Sequence, residues 1–127
     1  MEIDEFKCNS ANVTVLDLSR YPKLKTLRIG DYSFEYVNVT KLIGMSELES
    51  VVIGKLGFYR SFGTFYLKDC PSLKKLKMGC HSFSDYTVIE IENVDALETI
   101  TMGLVKDWSW NFYSASLELK SILTHIE

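Results

Sequence analysis

Cysteine is scarce. Only Cys8, Cys70 and Cys80 occur in 127 residues, an odd and small number that does not make a disulfide scaffold. No Cys-x-x-Cys or His-x-x-x-His spacing exists, so three cysteines and two histidines imply no metal. Long apolar runs are missing too; none approaches the ~18 residues of a membrane span. The opening Met1-Glu2-Ile3-Asp4-Glu5-Phe6-Lys7 is acidic and lacks the apolar stretch of a secretory leader. Read as complete, the chain is expected in the cytoplasm; read as a fragment of a longer exported protein, it belongs at the cell surface or outside. The sequons Asn12-Val13-Thr14 and Asn38-Val39-Thr40 matter only in that second case. Basic excess is also absent. Fourteen Lys and Arg against seventeen Asp and Glu leave −3, which argues against a nucleic-acid binder.

What is present is enough for one folded domain over residues 1–127. Apolar residues make up 46%, about 58 side chains, which suffices for a sizeable core. Charged residues, at 24%, sit near the globular average and exclude a disordered chain.

The chain repeats itself. Leu24-Lys-Thr-Leu27-Arg-Ile29-Gly30, Leu48-Glu-Ser-Val51-Val-Ile53-Gly54, Leu73-Lys-Lys-Leu76-Lys-Met78-Gly79 and Leu97-Glu-Thr-Ile100-Thr-Met102-Gly103 share one pattern, at steps of 24, 25 and 24. A weaker first copy reads Ile3-Asp-Glu-Phe6-Lys-Cys8-Asn9, with Asn9 in the glycine slot; Asn is the usual stand-in where φ is positive. The glycines are therefore expected at φ > 0. Phe34, Phe58 and Phe83 follow them at +4, whereas Phe112 lies at +9 from Gly103. A second apolar segment closes each unit: Val15–Leu18, Thr40–Leu42, Phe65–Leu67, Ile89–Ile91 and Leu117–Leu119. All but the second alternate at period 2, as half-buried strands do.

A unit of about 24 residues with two short strands cannot bury its apolar face alone. Stacked units (3–23, 24–47, 48–72, 73–96 and 97–127) predict a mainly β, right-handed parallel β-solenoid of about five turns, strands pairing one turn apart. The expected inward columns are Phe6, Leu27, Val51, Leu76, Ile100 and Leu18, Leu42, Leu67, Ile91, Leu119. Cys8 and Cys70 fall in apolar slots and read as small buried hydrophobes, with Cys80 the exposed thiol. Helix is expected only at the C-terminus, where Leu119, Ile122, Leu123 and Ile126 form a helical stripe that also continues the last strand.

The Leu-x-x-Leu-x-Ile segments, the Ile29-Gly30-Asp-Tyr-Ser33-Phe34 and Met78-Gly79-Cys-His-Ser82-Phe83 turns, and Cys70-Pro-Ser-Leu73 resemble leucine-rich repeats. They are most similar to the divergent bacterial and protist surface-antigen type, in which an Ile-Gly-x-x-Ala-Phe turn precedes Cys-x-x-Leu. The chain departs from that pattern by lacking the Asn ladder and by having a second strand where helix is usual. The resemblance implies protein recognition or adhesion; no catalysis or cofactor is expected.

Three places invite a functional reading. The outward columns of the first strands are expected to be Glu5, Thr26, Ser50, Lys75, Thr99 and Lys7, Arg28, Val52, Lys77, Thr101, basic at Arg28, Lys75 and Lys77; in leucine-rich repeats this face reads ligands. The last unit carries an insertion, Gly103 to Tyr113, holding Trp108, Trp110, Phe112 and Tyr113. Those aromatics suit either a cap on the open core or a partner-binding loop. Thirdly, uncapped ends would leave strand edges free to stack on another copy, the alternative function. No nucleophile, base and oxyanion set converges, and His81 occupies a copied turn slot, that of Tyr32.

Overall fold

The computed structural model describes residues 1–58, 62–79, 81–83, 86–102 and 116–120, the backbone alone at 102 and 116–120. Ten strands form: β1 (Glu2–Ile3), β2 (Val15–Asp17), β3 (Thr26–Ile29), β4 (Val39–Ile43), β5 (Ser50–Ile53), β6 (Gly63–Lys68), β7 (Lys75–Met78), β8 (Tyr86–Glu92), β9 (Thr99–Met102) and β10 (Ser116–Lys120). Odd-numbered strands make one parallel sheet, β1-β3-β5-β7-β9, and even-numbered strands the other, β10-β8-β6-β4-β2. Each coil thus contributes one strand to each sheet, and the whole is a parallel β-solenoid of about four turns. Among the described residues there is no helix, and hence none long and apolar enough to cross a membrane.

Period-2 alternation sets the packing. In β3 and β7 inward Leu27, Ile29, Leu76 and Met78 are buried between exposed neighbours. The register stacks Leu27, Val51, Leu76 and Ile100 in one column, buried except at Ile100, which is exposed, and Ile3, Ile29, Ile53, Met78 and Met102 in another. The second sheet stacks Leu42, Leu67, Ile91 and Leu119 as expected. Phe34, Phe58 and Phe83 form a buried spine, with ring centroids 5.2 and 4.5 Å apart and planes within 11°. Cys70 is buried in the slot of Met45, and its thiol pKa is raised by that burial.

The first coil differs from its expected alignment. Ile3, not Cys8, pairs with Ile29, so Asp4 rather than Asn9 takes the slot of Gly30. Phe6 leaves the core column and stands 63% exposed at φ 58°. Cys8 is exposed rather than buried; the register aligns it with Phe34. The reason is that the short β-branched pair partner, Ile3, fills the first-sheet column, and the chain then turns. Asn9 instead holds that turn with its side chain: its Nδ2 donates to the Tyr32 carbonyl (2.7 Å) and its Oδ1 accepts from the Glu35 amide (2.9 Å).

Gly30, Gly54 and Gly79 do not have positive φ; among the described glycines Gly44 alone does (68°). Close coil contact selects them instead. A Cβ on Gly54 would lie 2.6 Å from the Asp31 amide nitrogen, and one on Gly79 would lie 2.6 Å from the Gly54 carbonyl carbon. The left-handed conformation falls on the neighbours, at Tyr32, Leu56 and His81 and again at Phe34, Phe58 and Phe83.

Candidate functional site

Both sheets present an outer face, and the two differ in how far they satisfy themselves. On the second sheet, Asp17, Lys41, Tyr66 and Glu90 stack in register. Lys68 reaches Glu90 at 2.7 Å and Glu92 at 3.8 Å, and its Nζ lies 5.3 Å from the Tyr66 ring centre. The Glu90 hydrogen bond raises the Lys68 pKa. Bonds from the Ser19 hydroxyl and amide lower that of Asp17. This face is matched internally at Lys68 and Asp17.

The first sheet is not. Its strands bring Thr26, Ser50, Lys75 and Thr99 into one outward column and Glu2, Arg28, Val52, Lys77 and Thr101 into the next. Glu2, not Lys7, begins the second column, and Glu5 lies outside both, a consequence of the shifted first coil. Arg28, Lys75 and Lys77 are exposed and form no ion pair among the described residues. Lys75 and Lys77 lie about 7 Å apart along β7, and Arg28 lies two strands, about 10 Å, from Lys77. Between them runs a shallow depression of about 380 Å³, lined by Glu2, Thr26, Arg28, Ser50, Val52 and Lys75 among others. The hydroxyls and cations make it a surface of hydrogen-bond donors. Its rim alternates in sign: Lys25, Glu49, Lys74 and Glu98, all exposed, follow one another coil by coil. That rim is held rigidly, since the carbonyls of Lys25, Glu49 and Lys74 each accept two amides from the next coil.

Trp108, Trp110, Phe112, Tyr113 and Gly103 lie outside the described residues, as do Cys80, His125 and the stripe from Ile122 onward. His81 sits in the turn slot shared with Tyr32, at φ 64°. No group of three or more His, Cys, Asp or Glu that could hold a metal occurs among the described residues.

Sequence reasoning missed one buried polar arrangement. Tyr86 is fully buried; its hydroxyl donates to the Val37 carbonyl at 2.7 Å and lies 2.9 Å from Thr40 Oγ1, two coils away. Its ring packs edge-on against Phe83 and Phe58. Burial raises the phenol pKa strongly. The available signal was Thr40, a hydroxyl in a column otherwise filled by Leu16, Phe65 and Ile89. With the geometry in hand, comparison with known proteins adds nothing: no family model, curated protein or solved structure matches this chain.

Proposed function

We propose that the chain is a non-enzymatic recognition or adhesion module whose partner-reading surface is the outer face of the first sheet. The leucine-rich-repeat resemblance, with a right-handed coil of five units, belongs to this reading. One observation carries it: Arg28, Lys75 and Lys77 stand exposed and without ion pairs among the described residues on one in-register face, while on the opposite face Lys68 is held by Glu90 and Glu92. An isolated protein gains nothing from holding three unmatched cations within about 12 Å of one another. A partner that brings complementary charge gains register and association rate. Trp108, Trp110 and Tyr113 form a second candidate contact in the same reading.

Self-stacking is the alternative, and the first coil favours it. Met1, Phe6, Val15 and Tyr21 are all exposed there, beside the free edges of β1 and β2. Light scattering on a size-exclusion column separates the two. A mass of one chain at all concentrations supports recognition. Mass rising with concentration, and abolished by Phe6→Lys with Val15→Lys, supports stacking.

A further inference from the structure

The first-sheet face also carries the chemistry of its partner, and this inference rests on the recognition reading above. We infer that the face binds an extended acidic peptide segment, with carboxylates on Arg28, Lys75 and Lys77 and backbone carbonyls on the hydroxyls of Thr26, Ser50, Thr99 and Thr101. Three features select that ligand. The face offers donors and positive charge, and its one acid, Glu2, lies on the edge strand. Lys75 and Lys77 are two residues apart on one strand, so their spacing of about 7 Å equals that of alternate side chains in an extended peptide. Val52 lies between Arg28 and Lys77 in the register and gives the peptide an apolar contact.

A nucleic acid fits worse. Its uniform phosphates would meet Glu49 and Glu98 on the rim, which interleave with Lys25 and Lys74. The strand positions of the face hold no aromatic side chain on which a base could stack. A peptide escapes both problems because its acids are spaced and its other side chains are neutral.

The test is a selection of random twelve-residue peptides displayed on phage against the whole chain. It is followed by fluorescence anisotropy with a labelled peptide of alternating Glu and Ser, its Lys-Ser counterpart, and an oligothymidylate of equal length. The expected result is enrichment of Asp and Glu at alternate positions. Binding of the Glu-Ser peptide should weaken about tenfold or more in Lys75→Glu/Lys77→Glu and as salt rises. Lys55→Glu, exposed on a different corner, should bind as the parent does. Lys75 and Lys77 are exposed, so circular dichroism of the double variant should match the parent.

Selected peptides without acidic excess, displaced by Ser50→Trp on the same face, would overturn the acidic partner and leave the recognition reading standing. Oligothymidylate binding tighter than the Glu-Ser peptide, through the same two lysines, would overturn it in favour of polyphosphate. Failure to enrich any peptide would remove both the inference and the reading beneath it.

Discussion

Glycine and phenylalanine exchange the roles that their side chains suggest. Tyr32, Phe34, Phe58 and Phe83 adopt φ of 57–58°, a conformation costing roughly 1–2 kcal/mol per residue for a bulky side chain. The gain is inter-coil hydrogen bonding at the corner. The amides of Phe34, Phe58 and Phe83 donate back to the Lys7, Ser33 and Gly57 carbonyls, while that of Tyr32 donates forward to Lys55. The corner therefore continues the ladder where no strand is present. Serine adds to it: Ser33 Oγ donates to the Asp4 carbonyl at 3.0 Å and Ser82 Oγ to that of Gly54 at 2.6 Å. The preceding glycine lets two coils touch, so Gly79→Ala should cost about 1–3 kcal/mol from overlap with the Gly54–Lys55 backbone. Gly44 is the contrasting case. A Cβ there meets nothing within 4 Å, and its positive φ recurs in Asp69 (54°) and Asn93 (56°), one and two coils on. Gly44→Asn should be close to neutral. Urea midpoints decide: equal losses at both sites would mean that conformation, not contact, selects the repeated glycine.

Phe58 is the middle ring of the buried spine and also meets Tyr86, so Phe58→Ala should cost about 3–5 kcal/mol. A thermal transition near that of the parent would show that the coils close around the missing ring. Tyr86 links the spine to the second sheet. Opposite Gly63 the register shifts, with Gly63 against Tyr86 but Thr64 against Val88, and the extra residue lets the Tyr86 ring turn into the core. Tyr86→Phe should cost about 1–3 kcal/mol by leaving the Val37 carbonyl and Thr40 hydroxyl without their partner. The pH effect has a definite sign. A phenol whose folded pKa exceeds its unfolded value of about 10 contributes its full stability below pH ~10 and loses it as pH rises toward the folded value. The parent should thus lose stability above pH ~10 more steeply than Tyr86→Phe; parallel curves would sink the explanation. Strand columns were legible in the sequence because a parallel in-register stack copies a two-residue alternation at every coil. The first coil was not, since Asn9 mimics a glycine slot while Ile3 makes the pairing. Tyr86 was hidden as well, because its partners lie two coils away and no local pattern records that distance. Among the site residues, Arg28, Lys75 and Lys77 were legible from alternation alone, but their lack of ion pairs depends on where the folded coils place the acids, which the alternation does not record.

Apart from the Tyr86 bonds to Val37 and Thr40, each coil packs on its neighbours, so stability is set locally along the axis rather than by one closed core. Pairing is thin at the start: β1 matches β3 over two residues and β2 matches β4 over three, whereas β4 and β6 match over five. Side chains follow the same gradient. Met1, Phe6 and Val15 are exposed and Ile3 and Leu16 only half-buried, while Val51, Phe58, Phe65, Leu67, Leu73 and Leu76 are buried completely. The first coil can therefore open without disturbing the others, and the middle coils cannot open without breaking contacts on both sides. Hydrogen exchange should show this as a slope along the axis. Amides of β1 and β2 should exchange through local opening at little free-energy cost, and those of β5, β6 and β7 only through global unfolding. Phe58→Ala sharpens the test. Its loss should fall in full on β5, β6 and β7, whose exchange should quicken by the global destabilisation, and should leave β1 and β2 unchanged because they already open locally. Protection in β1 equal to that in β6 would mean that the first coil is held by something other than its neighbour. Mass rising with concentration in the same sample would then identify another copy stacked on that end.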